Sequence, residues 1–600
     1  MGDASVDFES YYSTKEKIGL KTMGVWEYLH HPRVEIHTVS IACPAGEYVG
    51  RPEDAPWDAV ADHCWWSHNA AFDSECWYRL CELHPGLAQF TPAVWNCTAN
   101  MSTYLGAPRD LAGAVAWLLG RDISKDVRKQ MDGRTHQQMV ASGFIQEVHE
   151  YALRDAHECL ALATGFQHLW PEVEQRISLL TIAQCARGLP LDLEYTDQAI
   201  ATLERVMWEA QDGLPWRSDG EDEATVLSTL ALAAACRSRG IAPPTSTAED
   251  SAACAAWEAA NPGIDWIQLM RAWRKANLLR EKLRTMRRFV RDDGRMHYGV
   301  KYFGAHTGRW SGDQKMNAHG LLKFPMEGTH RDGTPYSIDQ RRCITAPPGK
   351  KFIIADEAQV EPRVEHWLVG DTAFLDQVRA GMSVYEVHAR TAHGWTGGVL
   401  KREDPKRYSV MKSEVLGLGY GMGHARYREY ARTDHGVILS ALEARAAVNA
   451  YRRKKPLIVG YWEYLDELLQ AACRERRDLA IELPSWRSMV YRDVRRERIG
   501  EKQRVQVVAG VQGRAKKAFW GSLLCENVVQ ATSRDVFALA MLHAEDAGLM
   551  SILSVHDEML LEVDEDADVR QVLEIMRRPP EWAPDLPLDS EPEETRHYKK

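Results

Sequence analysis

The chain has 600 residues, 45% hydrophobic and 26% charged: room for several domains, with the composition of ordinary globular proteins rather than disordered ones. Its net charge of −11 excludes a uniformly basic nucleic-acid binder, so any polyanion must be met by local patches. The longest near-continuous apolar stretch, Leu111 to Leu119, is too short to span a bilayer; the acidic, polar start predicts no secretory signal, and twelve scattered cysteines without a CxxC pair predict reduced thiols in a cytoplasmic protein.

In chain order, Asp7-Phe8-Glu9 comes first. Residues i and i+2 of a strand share a face, so both carboxylates can meet one metal site. Ile36 to Ala42 reads as a strand, Asn69-Ala-Ala-Phe72-Asp73 adds another acid, and Leu111 to Leu119 reads as a buried helix. Tyr151 and Asp155, at i and i+4, share a helix face. Four acids and a tyrosine suit two cations and a group that orients an attacking water. Leu179 to Asp192 reads as a connector, and 195–300 as largely helical, broken at Pro243-Pro244.

In the second half, the apolar run Phe352-Ile353-Ile354-Ala355 ends in Asp356. Asp404 reads as an N-cap and Pro405 as the first residue of a helix on which Lys412, Leu416 and Tyr420, at i, i+4 and i+8, share one face. A cation, an apolar side chain and an aromatic ring in register suit a triphosphate, a sugar and a base. Asn527, Gln530 and Arg534 share another helix face. His556-Asp557-Glu558 lies between two strand-like runs, 552–555 and 559–563, so a hairpin presents Asp557 at its turn. Two aspartates at the ends of neighbouring strands can clamp two divalent cations roughly 3.5–4 Å apart, the geometry of in-line phosphoryl displacement. Arg271 to Lys301 holds eleven Lys/Arg against three acids, and Arg487 to Lys517 ten against three. Such runs are either solvated faces or phosphate contacts, and two of them flanking these motifs favour phosphate contact.

Asp356, Lys412–Tyr420 and His556-Asp557, in that order, resemble the three polymerase motifs of family A DNA polymerases, the bacterial DNA polymerase I group. Thr307-Gly308-Arg309-Trp310-Ser311-Gly312 and Glu526–Asp535 resemble segments of its phage branch. The set Asp7, Glu9, Asp73, Tyr151 and Asp155 resembles the DEDDy 3′–5′ exonucleases. The resemblance implies an α/β multidomain chain: an RNase H-like exonuclease domain (1–170), connector and helical thumb (171–300), palm (301–370), fingers (371–518) and palm again (519–600), with no room for a further nuclease domain before residue 7.

The same resemblance assigns roles. Asp356 and Asp557 bind two Mg2+ ions, and Asp7, Glu9, Asp73 and Asp155 two more beside Tyr151, with Mn2+ as a substitute. Gln359, Glu361, Arg407, Lys412, Leu416 and Tyr420 face the nucleotide, Glu361 excluding a 2′-hydroxyl; Arg309, Asn527, Gln530, Arg534 and His556 face the primer–template. Arg407 lies five residues before Lys412 instead of the family's four, about 140° around the helix. Ala358 and Pro362 depart from the family's motif, and Asn317-Ala-His319 stands where a Gln-Asn pair is usual. The implied partners are primer–template DNA and dNTPs, for a monomer with a phage-type replicative role, and whether a processivity factor binds is left open. The rivals are a single-subunit RNA polymerase, which Glu361, the exonuclease set and His-Asp-Glu oppose, and a nuclease whose second half only binds DNA, which Asp356, Lys412 and Asp557 together oppose.

Overall fold

A computed structural model describes residues 2–216, 223–249, 251–313, 316–499, 504–512 and 514–599. The chain divides into two compact units: one holds 1–186, 299–314 and 353–594, the other 187–298, 315–352 and the residues from Thr595 on.

The first unit opens with β1 (Asp3–Ser10), β2 (Ile36–Cys43), β3 (Gly46–Gly50), β4 (Cys64–Ser67), α1 (Ala70–Leu83) and β5 (Trp95–Cys97). The sheet order is β3-β2-β1-β4-β5, antiparallel from β3 to β1 and parallel from β1 to β5. That is the RNase H-like arrangement expected. The helix α2 (Ile145–Phe166) packs on β1 and β2. Its buried positions, among them Val148, Tyr151, Ala152, Asp155, Ala156, Cys159 and Leu162, repeat every three to four residues, which makes one face of a helix. Tyr151 and Asp155 are therefore polar members of an otherwise apolar stripe. Trp57, Trp65 and Trp77 fill the core beneath the sheet, with Trp77 edge-on to the other two at 4.6 and 5.0 Å. The predicted helix at Leu111 forms over Leu111–Leu118 but is buried on one side only, at Leu111, Ala114 and Val115.

From α3 (Glu172–Arg187) the chain enters the second unit, built on α4 (Leu193–Asp212) and α5 (Trp266–Arg288), which pack against each other. Asp192 caps α4 by accepting from the Tyr195 amide at 2.9 Å. The expected palm segment 301–370 is split: 315–352, with a hairpin of Met326–Thr329 and Pro335–Ile338, folds with this helical unit.

The remainder of the first unit contains β6 (Lys350–Asp356, in this unit from Ile353), α6 (Val360–Leu368), α7 (Val384–His393), α8 (Pro405–Leu418), α9 (Pro456–Glu475), β7 (Ser488–Ile499), β8 (Arg504–Gly510), α10 (Gly521–Asp546), β9 (Met550–Val555) and β10 (Glu558–Asp564). β9, β10 and β6 are neighbours in one sheet, in that order. The 26-residue α10 is buried on nearly every side and packs against α6, α9 and β9. Trp66, Trp170 and Ile177 share one core with Tyr302, Trp310, Ile353, Phe537, Met541 and Leu561, so the N-terminal domain and the β6–β10 sheet are packed as one body. No helix among the described residues is long and apolar enough to cross a membrane.

Candidate active sites

The first site lies on β1. Alternation along the strand puts Asp7 and Glu9 on one face, opposite α2. Asp73, in the first turn of α1, is buried and accepts from the Phe8 amide at 3.4 Å. Asp155 is buried on α2, 3.4 Å from Lys125 Nζ, and Tyr151 lies one turn away under the Arg154 guanidinium. All five expected residues thus converge. Burial, together with Asp73, Glu9 and Asp155, raises Asp7 well above the usual carboxylate range. Burial and Asp155 push Glu9 up to about 7 against the opposing pull of Arg128 and Lys125. Asp73 is raised by burial and Glu9 although the Phe8 amide favours its charged form. Tyr151 is raised by burial and by Glu9 and Asp155, which keeps it a phenol and a donor. Carboxylates crowded until they hold protons are what a multivalent cation relieves, so the donor set fits two hard cations. Arg128 and Lys125, which spacing did not single out, are positive charges acting on these acids.

The second site is on the β6–β10 sheet. Asp356 ends β6, and Asp557 lies in the two-residue turn His556-Asp557 between β9 and β10. Such a turn asks for positive φ at its first position, and His556 supplies it at 58°, uncommon for a residue with a Cβ. The Glu357 amide donates to the Asp557 carbonyl at 3.0 Å, which sets Asp356 and Asp557 side by side at the ends of neighbouring strands. Both are half-buried, open enough to take a ligand. Glu357 itself was missed. It is buried with neither carboxylate oxygen hydrogen-bonded, and burial, Asp557 and Asp356 raise it well above the ordinary range. Its signal in the sequence was a second acid directly after the strand-ending Asp356.

The expected nucleotide-binding face is on α8. Asp404 caps it by accepting from the Arg407 amide at 2.9 Å, and Pro405 opens it, as expected. Lys412, Leu416 and Tyr420 are half-buried while their neighbours on the other faces, Met411, Ser413, Glu414, Val415 and Leu418, are buried, so the three share one partly open face. Tyr420 lies just beyond the helix end and donates to Glu361 Oε2 at 3.4 Å; the other oxygen of Glu361 accepts from Arg309. Gly308, at φ 90°, lets the chain turn there, since a Cβ would meet Phe303 at 3.1 Å and Arg487 at 3.3 Å. Gln359, left-handed at the start of α6, accepts from the Val384 amide at 2.7 Å, and Tyr385 of α7 packs edge-on to Tyr408 of α8 at 5.3 Å. Arg407 points away from the Lys412 face, over the Trp395 ring and 3.6 Å from Asp404.

Several expected DNA contacts are placed otherwise. Arg534 is 2% exposed and makes a two-point pair with Glu174 of α3 at 2.5 and 3.0 Å, with Tyr302, Phe303 and Trp310 around its guanidinium. It ties α10 to α3. Asn527 is buried and donates to the Tyr491 hydroxyl at 3.1 Å, and the half-buried Gln530 donates to Glu526 at 3.1 Å. His556 is exposed. In the basic segments many cations already hold acids: Arg271 with Glu258, Lys275 with Glu249, Arg284 with Glu204, Arg287 with Asp197 and Arg492 with Asp478, at 2.6 to 3.1 Å. Arg487 is buried against Asp535. Residues 500–503 and 513 of the second segment lie outside the described residues.

A profile of DNA polymerase family A matches residues 245–599. A DNA polymerase of Bacillus phage SP02 is 24% identical over 89% of this chain and 89% of its own length. The thermostable DNA polymerase I of Thermus filiformis is 25% identical over 73% of this chain, which spans about half of that relative (51%). The solved POL domain of Pol1 from M. smegmatis, in complex with DNA primer-template and dNTP, superposes with a TM-score of 0.64 over 94% of this chain and 93% of that one, at 17% identity.

Proposed function

The chain belongs to DNA polymerase family A, and from that premise we propose that it extends a primer 3′ end with dNTPs on a template and proofreads with a 3′–5′ exonuclease at the β1 site. The observation that carries the first activity is the Glu357-to-Asp557 main-chain bond, which pairs two strand-end aspartates. The second rests on the convergence of Asp7, Glu9, Asp73, Tyr151 and Asp155.

In this reading Asp356 and Asp557 hold two Mg2+ ions, and Asp7, Glu9, Asp73 and Asp155 two more. When bound, such pairs supply the charge that stabilises attacking and leaving oxygens in an in-line displacement. Lys412 offsets charge on the triphosphate, Leu416 meets the sugar, and Tyr420 lies under the templating pair. The primer 3′-oxygen attacks the α-phosphorus and pyrophosphate leaves. Glu361, fixed between Arg309 and Tyr420, fills the space a 2′-hydroxyl needs, rejecting ribonucleotides by a clash and not by better contacts to deoxynucleotides. At the other site Tyr151, a neutral phenol, orients the attacking water. The relationship to a phage polymerase along nearly the whole chain favours a phage-type replicative role.

The deciding experiment is filling-in of a recessed primer, with dNTPs and then NTPs, alongside degradation of single-stranded DNA. Extension with dNTPs only, plus degradation when dNTPs are withheld, is expected. Extension with NTPs at comparable rates would make it an RNA polymerase, and degradation without extension a nuclease.

A further inference from the structure

Away from both sites, His388 and His393 of α7 meet Glu414 of α8. His388 Nε2 is 2.9 Å and His393 Nε2 2.7 Å from the same oxygen, Glu414 Oε2. Among the described residues this is the one group of three or more His, Cys, Asp or Glu whose ligand atoms all lie within 4.8 Å of one another. We propose that His388, His393 and Glu414 form a transition-metal site, filled by Zn2+ or a similar ion with water as the fourth ligand, that clamps α7 to α8.

The donor set is two imidazole nitrogens and a carboxylate oxygen, the combination of many three-residue zinc sites with an open position. Bonds of about 2.0–2.1 Å in a tetrahedron separate ligand atoms by about 3.3 Å. The present separations from Glu414 are 2.7 and 2.9 Å, so the carboxylate oxygen need only draw back slightly from each imidazole nitrogen, and the two nitrogens lie within 4.8 Å of each other. His388 and Glu414 are 0% and 4% exposed, and His393 lies at the surface, giving an entry path and a place for water.

Lys455, stacked 4.1 Å over the Phe374 ring, acts on His388 as a nearby positive charge. A cation entering here must overcome that repulsion through strong bonds to nitrogen, which favours zinc-like ions over Mg2+. Glu414 lies two residues past Lys412, roughly 200° around α8, so the ion would grip the back of the helix whose front carries Lys412, Leu416 and Tyr420.

The test is titration of the full-length, chelator-stripped protein with Co2+ in excess Mg2+, which occupies the carboxylate sites. Expected are visible d–d bands of a tetrahedral centre that saturate at one equivalent, vanish on adding equimolar Zn2+, and are lost in His393→Ala. His393 is exposed, so that variant folds, which an unchanged melting curve in chelator verifies; Glu414→Gln, judged the same way, must also lose the bands. No tetrahedral band in the wild type, or an equal band in folded His393→Ala, would overturn the proposal and leave a hydrogen-bonded His–Glu–His link.

Discussion

Replacing Glu9 by Gln tests the electrostatics of the β1 site without touching its shape. In the native state Glu9 ionises only at about 7, against an ordinary 4.5, because burial and Asp155 oppose its charge. Between those values the native state binds the proton more tightly than the unfolded chain, so stability falls as pH rises through that window. With no metal present, the difference is worth about 3 kcal/mol at pH 8, where the carboxylate is ionised in both states, and about 1 kcal/mol at pH 5.5. Gln carries no charge to desolvate. In chelator, Glu9→Gln should therefore stabilise the N-terminal domain by roughly that amount at pH 8 and much less at pH 5.5. Saturating Mg2+ should reverse the order, since the ion stabilises the wild-type carboxylate and has less to hold in the variant. Denaturant titration at the two pH values, followed by tryptophan fluorescence, reads all of this. A variant that unfolds with the wild type at pH 8 in chelator, or gains equally at both pH values, would refute the reasoning.

Four further outcomes follow from the geometry. Asp356→Ala or Asp557→Ala should abolish primer extension and leave degradation of single-stranded DNA; loss of both in a folded Asp557→Ala protein would show the sites to be coupled. Glu361→Ala should raise the rNTP-to-dNTP ratio of kcat/KM steeply, and an unchanged ratio would place the gate elsewhere. Arg534→Met leaves the buried Glu174 carboxylate without its cation and should destabilise the protein by about 3–5 kcal/mol, and Glu174→Gln, after which Arg534 keeps Asp535 at 3.2 Å, by less; DNA affinity lost at unchanged stability would make Arg534 a DNA contact. Leu416→Tyr, which adds a hydroxyl that can stand in for a missing 3′-OH, should narrow discrimination against dideoxynucleotides in an exonuclease-deficient background. Leu416→Phe should not; equal ratios for Leu, Phe and Tyr would mean that this face of α8 does not meet the sugar.

What the sequence made legible was local. An acid closing an apolar run fixed Asp356 at the end of β6, strand alternation put Asp7 and Glu9 on one face, and Asp404-Pro405 started α8 where the capping rule puts it. Each depends on neighbours within a turn or a strand. Arg534 fails the same treatment. Helical spacing correctly lines it up with Asn527 and Gln530, yet what that face meets is decided by Glu174, 360 residues earlier in the chain. A charge count shows eleven cations between Arg271 and Lys301 but not the acids that answer them, because Asp197, Glu204, Glu249 and Glu258 come from other helices and loops of the same unit. His388 and His393, five apart, start about 140° from each other around α7, so spacing argues against a shared ligand. They converge because His393 is the last residue before the left-handed Gly394 and because α8 brings Glu414 between them. Spacing therefore identifies the residues that one element presents, while tertiary packing decides whether they meet DNA, an acid or a metal; the sites built on single strands and helix faces were readable for that reason, and the pairings across α3, α7, α8 and α10 were not.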